Sequence, residues 1–167
     1  MDKLTISRIK QAHPIIRKEL EALYIECNNL LPKGVRLRFS SVFRSVTEQN
    51  ALYNQRPKVT NARGFQSIHN YGLAFDYVVL LDKDNNGTFE SIEWDIKSPH
   101  HKQVIAFFKS KGYEWGGDFK SFPDFPHFQK TFGLTWQQLK SRVDIGMTII
   151  DNGIVYPKIS YICMHNF

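Results

Sequence analysis

The stretch Ser67 to Leu81, SIHNYGLAFDYVVLL, decides how this chain is read. Its second part, LAFDYVVLL from Leu73 to Leu81, is a near-continuous apolar run whose β-branched and aromatic content favours a buried strand. Asp76 interrupts that run. Burying an unpaired carboxylate costs several kcal/mol or more, so an Asp at such a position needs a cation or strong donors beside it. A metal would satisfy it. His69, seven residues earlier and flanked by small residues and Gly72 that suggest tight backbone packing, is the first candidate co-ligand.

Upstream, Val35, Leu37 and Phe39 alternate with Arg36, Arg38 and Ser40, the period-two pattern of a half-buried strand. Before it, Ile16, Leu20, Leu23 and Cys27 recur at spacings of four, three and four, which predicts an amphipathic helix over Pro14 to Asn28 with Pro14 in its first turn. Ser45 and Glu48 form a capping box for a helix from about Val46 to Asn54, which puts Arg44 at a strand-to-helix junction. Downstream, Ser98 and Pro99 open a helix through Lys111, closed by Gly112. Tyr113 to Trp115 and His127 to Gln129 are short strand candidates, and a further helix starts near Thr135. The stretch from Gly146 to Phe167 is apolar and strand-like without a motif. No repeat or linker divides the 167 residues, so the expectation is one α+β domain over 1–167, helices packed on a small antiparallel sheet that carries the site.

With 42% hydrophobic and 23% charged residues the composition is that of a globular protein, which excludes a disordered chain. The formal charge of +6 favours encounters with polyanions, for which nucleic acid, anionic cell-wall polymers such as teichoic acids and anionic lipid headgroups would all suit, or simply maintains solubility. No nucleic-acid-binding motif accompanies it. Cys27 and Cys163 lack Cys-x-x-Cys spacing and read as free thiols. The start, MDKLTISRIKQ, has no apolar segment after its charges, and nowhere do 18 uncharged apolar residues run together. The expectation is a monomer without membrane insertion, made in the cytoplasm without a signal peptide.

Of six histidines, most should be ordinary surface or core residues, and company is what distinguishes His127 as it does His69. WGGDFKSFPDFPHFQ has the aromatic, Gly and Pro content of rigid, close-packed loops and puts Asp124 three residues before His127. That spacing lets one residue bind a metal while the other faces water on it. Two His and one carboxylate leave an open position on tetrahedral zinc, the catalytic arrangement. Zinc so held lowers the pKa of its water to about 7, and a neighbouring carboxylate such as Asp124 can accept the proton.

Ser67-x-His69-x-x-Gly72-x-Ala74-x-Asp76, with Trp115-Gly116-Gly117-Asp118 and Asp124-x-x-His127-Phe128, resembles the zinc peptidase family of D-alanyl-D-alanine carboxypeptidases, vancomycin-resistance dipeptidases and phage L-alanyl-D-glutamate endolysins. The resemblance runs from about Arg36 to Phe132 and includes Phe43-Arg44-Ser45 and Glu48-Gln49. It implies that His69, Asp76 and His127 hold zinc and that Asp124 is the general base. It further implies that Arg44 binds substrate and stabilises the tetrahedral intermediate, and that Ser67 orients substrate or a ligand. Asp118 is the fallback base. The dipeptidase branch has Glu where this chain has Asp124, so the similarity is to the endolysin branch. The implied substrate is peptidoglycan, cut at the L-alanyl-D-glutamate bond once the protein is released to the cell wall from a phage or prophage host. The rivals are a D-alanyl-D-alanine carboxypeptidase or dipeptidase and a non-catalytic zinc-containing binding module; Asp124 and Arg44 argue against the module.

Outside these motifs, LDKDNNGTFESIE has the spacing of a calcium loop, with Asp82, Asp84, Asn86, Thr88 and Glu93 as ligands around Gly87. A strand rather than a helix precedes it, so a hairpin tip with Asn86-Gly87 as its turn is an equal reading.

Overall fold

The run that carries Asp76 is indeed a strand in the computed structural model, which describes residues 2–160. In chain order the elements are helices α1 (Lys3–Ile9) and α2 (Pro14–Leu30), strand β1 (Val35–Ser41), helix α3 (Val46–Asn54), and strands β2 (Ala74–Leu81) and β3 (Ser91–Glu93). Helix α4 (Pro99–Ser110), strands β4 (Glu114–Trp115) and β5 (His127–Gln129), helix α5 (Trp136–Asp144), and strands β6 (Thr148–Asp151) and β7 (Ile154–Pro157) complete the order. Single 3₁₀ turns lie at Ile68–Tyr71 and Gly116–Asp118. This is the expected α+β arrangement, with every strand pair antiparallel.

Strand β2 is the centre of the main sheet, ordered β1-β2-β5-β4. One of its edges takes β1; the other is shared, with β5 opposite Ala74 to Asp76 and β3 opposite Val79 to Leu81. Side chains alternate across a strand, so Phe75, Tyr77 and Val79 point one way and Asp76 and Val78 the other. The first set meets Leu37 and Phe39 of β1 and Phe128 of β5 in the core. Phe75 stacks on Phe39 at 4.2 Å and on Phe128 at 5.3 Å between centroids, with Phe108 of α4 edge-on at 4.9 Å. Offset and edge-on ring pairs of this kind add about 0.5–1.5 kcal/mol each beyond their buried area. Helix α2 brings Ile16, Leu20, Leu23 and Cys27, the residues its periodicity selected, to the same core, together with Tyr24. Buried Cys27 is a free thiol whose pKa burial pushes up to about 12, so it is inert.

The expected Ser45–Glu48 box on α3 and Ser98 cap of α4 are present, and α5, expected to start near Thr135, carries a box in which Thr135 pairs with Gln138. Helix α1 was not foreseen, because seven residues are too few to display a period. It is fixed instead by Asp2, which caps it through Thr5 and receives Arg38 of β1 at 2.9 Å. Burial alone would raise the Asp2 carboxyl, but hydrogen bonds from Arg38 and Thr5 outweigh it and hold it at about 2. The strand-like C-terminal stretch forms the β6–β7 hairpin, turning at Asn152-Gly153 where both residues have positive φ, as a type I′ turn requires. His13 ties this hairpin to α2: Nδ1 caps the helix at Ile15 N, and Nε2 donates to Pro157 O at 2.8 Å. Residues 161–167, with Cys163 and His165, lie outside the described span. Among the described residues no helix is long and apolar enough to cross a membrane.

Candidate metal centre and its cleft

The polar face of β2 is where the sequence motifs converge. Asp76 pairs in register with His127 of β5 on one side and with Ser41 of β1 on the other. A register shift between Phe39 and Ser41 makes a bulge beside Asp76, a common device for re-aiming side chains at a site. The 3₁₀ turn at Ile68–Tyr71 delivers His69 and ends at Gly72, whose φ of +67° and close approach to His13 N and the Tyr156 ring leave no room for a side chain.

Three atoms face one another at nearly equal distances. His69 Nε2 is 3.1 Å from Asp76 Oδ1 and 3.2 Å from His127 Nδ1, which is itself 3.2 Å from Asp76 Oδ1. The outward nitrogens are already spent. Val42 O can only accept, so His69 Nδ1 donates to it at 2.7 Å. Gln129 Nε2 donates to Glu114 at 2.9 Å, which turns Gln129 Oε1 toward His127 Nε2 at 3.1 Å to accept its proton. Both rings therefore present lone pairs to a carboxylate, three acceptors with no proton required by their outer partners. A cation resolves that repulsion. Tetrahedral zinc at about 2.0–2.2 Å from each atom would hold them about 3.3–3.6 Å apart, within a few tenths of an ångström of the spacing seen, so the donor set fits it in type, number and spacing.

Electrostatics agree with this geometry. Burial alone would raise the Asp76 carboxyl, but His69 and His127 hold it well below the usual range. At His127 burial acts to lower the pKa, and Asp76, Gln129 and Asp124 more than offset it, so the net direction is up. Positive charge is favoured between these groups. Arg44 supplies some from behind: its Nη2 reaches Asp76 Oδ2 at 3.2 Å and Ser41 Oγ at 3.3 Å, and Nη1 donates to buried Gln49 at 2.9 Å. Gln49 is anchored in turn on Ala62 O at 2.7 Å.

Asp124 reaches the site from the turn before β5. Its N–H donates to Gly116 O at 2.9 Å and its carbonyl accepts from His127 N at 3.2 Å. A Cβ at Gly116 would lie 2.3 Å from Asp124 O and 2.9 Å from His127 Cβ, so the glycine is what lets this turn close. Trp115 Nε1 donates to Phe125 O at 2.8 Å and holds the rest of the loop. Burial pushes the Asp124 carboxyl up, and the Asp76 charge adds to the rise against the pull of the two histidines and Arg44.

Six candidate site residues, Arg44, Ser67, His69, Asp76, Asp124 and His127, line one cleft of about 730 Å³. Ser67 precedes the 3₁₀ turn without capping it through its side chain. Asp118 does not line the cleft; it pairs with Lys109 at 2.5 Å on the surface. Sequence reasoning missed Gln129, and named Gln49 within the resemblance without giving it a role. Gln129 had a readable signal, since it is two residues from His127 on a strand and so on the same face. The role of Gln49 had none.

The calcium reading finds no support. Among the described residues only His69, Asp76 and His127 form a cluster of three metal-ligating groups. Asp82 accepts from Asn86 N and Gly87 N, Asp84 from Asn86, and Asn86 Oδ1 from Thr88. Glu93 lies in β3, where Ser98 Oγ donates to it at 2.7 Å and His100 Nδ1 approaches to 3.2 Å. The segment is a self-bonded loop whose intended twelfth ligand is engaged elsewhere.

Comparison with known proteins agrees with this geometry. A family model described as D-alanyl-D-alanine carboxypeptidase matches residues 60–130. Over 129 residues the chain is 40% identical to the peptidoglycan L-alanyl-D-glutamate endopeptidase CwlK of Bacillus subtilis, covering 70% of this chain and 72% of that one. The L-alanyl-D-glutamate peptidase of Listeria phage A118 is 31% identical over 97 residues, which is 58% of this chain and 31% of that longer protein. The solved structure of the L-Ala D-Glu endopeptidase ChiX of Serratia marcescens matches with a TM-score of 0.55 and 25% identity, over 79% of this chain and 90% of that one. With that identity and coverage against CwlK, the chain belongs to the zinc-dependent peptidase family of D-alanyl-D-alanine carboxypeptidases and L-alanyl-D-glutamate endopeptidases.

Proposed function

We propose that this protein hydrolyses the L-alanyl-D-glutamate bond of peptidoglycan stem peptides, with zinc held by His69, Asp76 and His127. The observation that carries the reading is the set of three inward-facing acceptor atoms, 3.1–3.2 Å apart, at the base of a cleft large enough for a peptide. Three relatives named for that same bond support the choice of substrate. Zinc, when bound, supplies Lewis acidity and makes water a nucleophile near neutral pH. The chain's own groups do the rest. Asp124 is the general base: its carboxylate takes a proton from the attacking water and returns it to the leaving D-glutamate nitrogen. Its raised pKa brings it closer to the operating pH and strengthens it as a base. Arg44 orients Asp76 through Nη2 and lends positive charge as the scissile carbonyl gains negative charge. Ser67, at the cleft wall, positions substrate. The formal charge of +6 favours approach to an anionic wall, where the protein would act after release from the host cell.

Digestion of purified peptidoglycan, with mass spectrometry of the new amino termini, tests this directly. New N-terminal D-glutamate is expected. Release of free D-alanine instead would move the protein to the carboxypeptidase reading that the family model's description favours.

A further inference from the structure

Eleven large apolar side chains are exposed among the described residues, and five of them, Val59, Ile92, Trp94, Phe122 and Phe125, line the one cleft that holds the donor set. Trp94 is 83% exposed and Phe122 60%, so neither is there to build the core. Solvent-facing aromatics concentrated at a concave site mark a binding surface. The distribution of charge identifies what binds. Apart from His, the charged residues lining the cleft are Arg44, Asp76 and Asp124 around the donor set, and Glu93, which is engaged by Ser98 and His100. Elsewhere the walls are apolar or carry neutral hydrogen-bonding groups, such as Thr60, Asn61 and Gln66. An occupant matched to them is uncharged, hydrogen-bonding at its edges and apolar on its faces.

A pyranose ring has that chemistry: its axial C–H bonds carry partial positive charge and seat on the negative face of an aromatic ring, while its hydroxyl and acetamido groups meet amides. We propose that Trp94 and Phe122 form a saccharide subsite that holds the N-acetylmuramyl sugar of the glycan strand. The proposal rests on the L-alanyl-D-glutamate reading above. The amino group of L-alanine is acylated by the lactyl arm of that sugar, so about two extended residue lengths, roughly 7 Å, separate the ring from the scissile bond. A cleft that receives the bond at the donor set must receive the sugar at its rim. Trp94 and Phe122 are therefore specificity residues rather than catalytic ones.

The test compares two substrates on the zinc-loaded full chain: N-acetylmuramyl-L-alanyl-D-glutamyl peptide, and the same peptide with a simple N-acetyl group in place of the sugar. Trp94→Ala and Phe122→Ala are each expected to raise KM for the muramyl substrate by about 2- to 10-fold, the range of one aromatic contact. Their kcat and their KM for the N-acetyl substrate should be unchanged. Equal KM increases on both substrates would show that the rim holds peptide and would overturn the proposal, as would no change on either. A second measurement needs no turnover: the N-acetylglucosaminyl-N-acetylmuramyl disaccharide with its lactyl carboxyl capped as an amide, as it is in the stem peptide, should alter tryptophan fluorescence in the wild type and not in Trp94→Ala. If the wild type leaves the L-alanyl-D-glutamate bond intact, the function reading fails, and this titration decides the sugar subsite alone. A change lost in Trp94→Ala upholds the subsite; no change in the wild type overturns it.

Discussion

Two stretches of this chain have the spacing of metal sites, and they lie at opposite ends of one strand: His69 and Asp76 at the start of β2, Asp82 to Glu93 beyond its end. The first stretch supplies two of its three donors and borrows the third, His127, from a neighbouring strand 51 residues past Asp76. Each donor's outer atom is fixed by a group outside the cluster: Val42 O for His69, Gln129 for His127, Arg44 for Asp76. The second stretch is contiguous and matches a calcium loop position by position, yet its acceptors are met by its own amides and Glu93 is drawn to α4. Spacing within a loop is thus weaker evidence for a metal than convergence of donors whose alternatives are already used up.

That contrast can be broken by substitution. The largest effect is expected for His69→Ala with His127→Ala, which removes two of three donors: hydrolysis of peptidoglycan should fall to background and zinc should be absent by elemental analysis. Retention of both activity and metal would transfer the site elsewhere. Asp124→Ala should keep its zinc and its fold while turnover drops about 10²- to 10⁴-fold, the usual contribution of a general base; turnover near wild type would rule Asp124 out. Gln129→Leu removes the acceptor that orients His127 and should weaken zinc binding about 10- to 100-fold in a competitive chelator titration, as loss of such supporting partners does. An unchanged zinc affinity would mean that strand pairing alone orients the imidazole. At the small end, Asp82→Ala with Asp84→Ala should leave hydrolysis the same with calcium and with a calcium-selective chelator, and calorimetry should show no calcium binding heat on the wild type. A calcium-dependent rate abolished by the double substitution would restore the loop as a site.

Much of the site was legible because it is written in short motifs on regular structure. Asp76 stood out as a charge in an apolar run, and period-two alternation then assigned it to the face opposite Phe75 and Tyr77. Arg44 was placed by the Ser45–Glu48 box that follows it. What escaped was whatever depends on tertiary approach. Helix α1 is held by the Asp2–Arg38 pair, which joins residues 36 positions apart. Gln49 entered only as part of the resemblance with no role attached, yet it is fully buried and grips Arg44. Arg44 itself was expected to face substrate, and the structure adds a second role for it, against Asp76. Trp94 and Phe122 carried no signal as single exposed aromatics, since isolated apolar surface residues are ordinary; only the fold gathers them at one rim.

Zinc K-edge X-ray absorption on the purified wild-type chain bears most directly on whether His69, Asp76 and His127 are the ligands. About one zinc per chain is expected, with a first shell of nitrogen and oxygen at about 2.0–2.2 Å and the outer-shell scattering of two imidazole rings. A shell containing sulfur, scattering from one ring or none, or a protein that takes up no zinc would contradict that assignment.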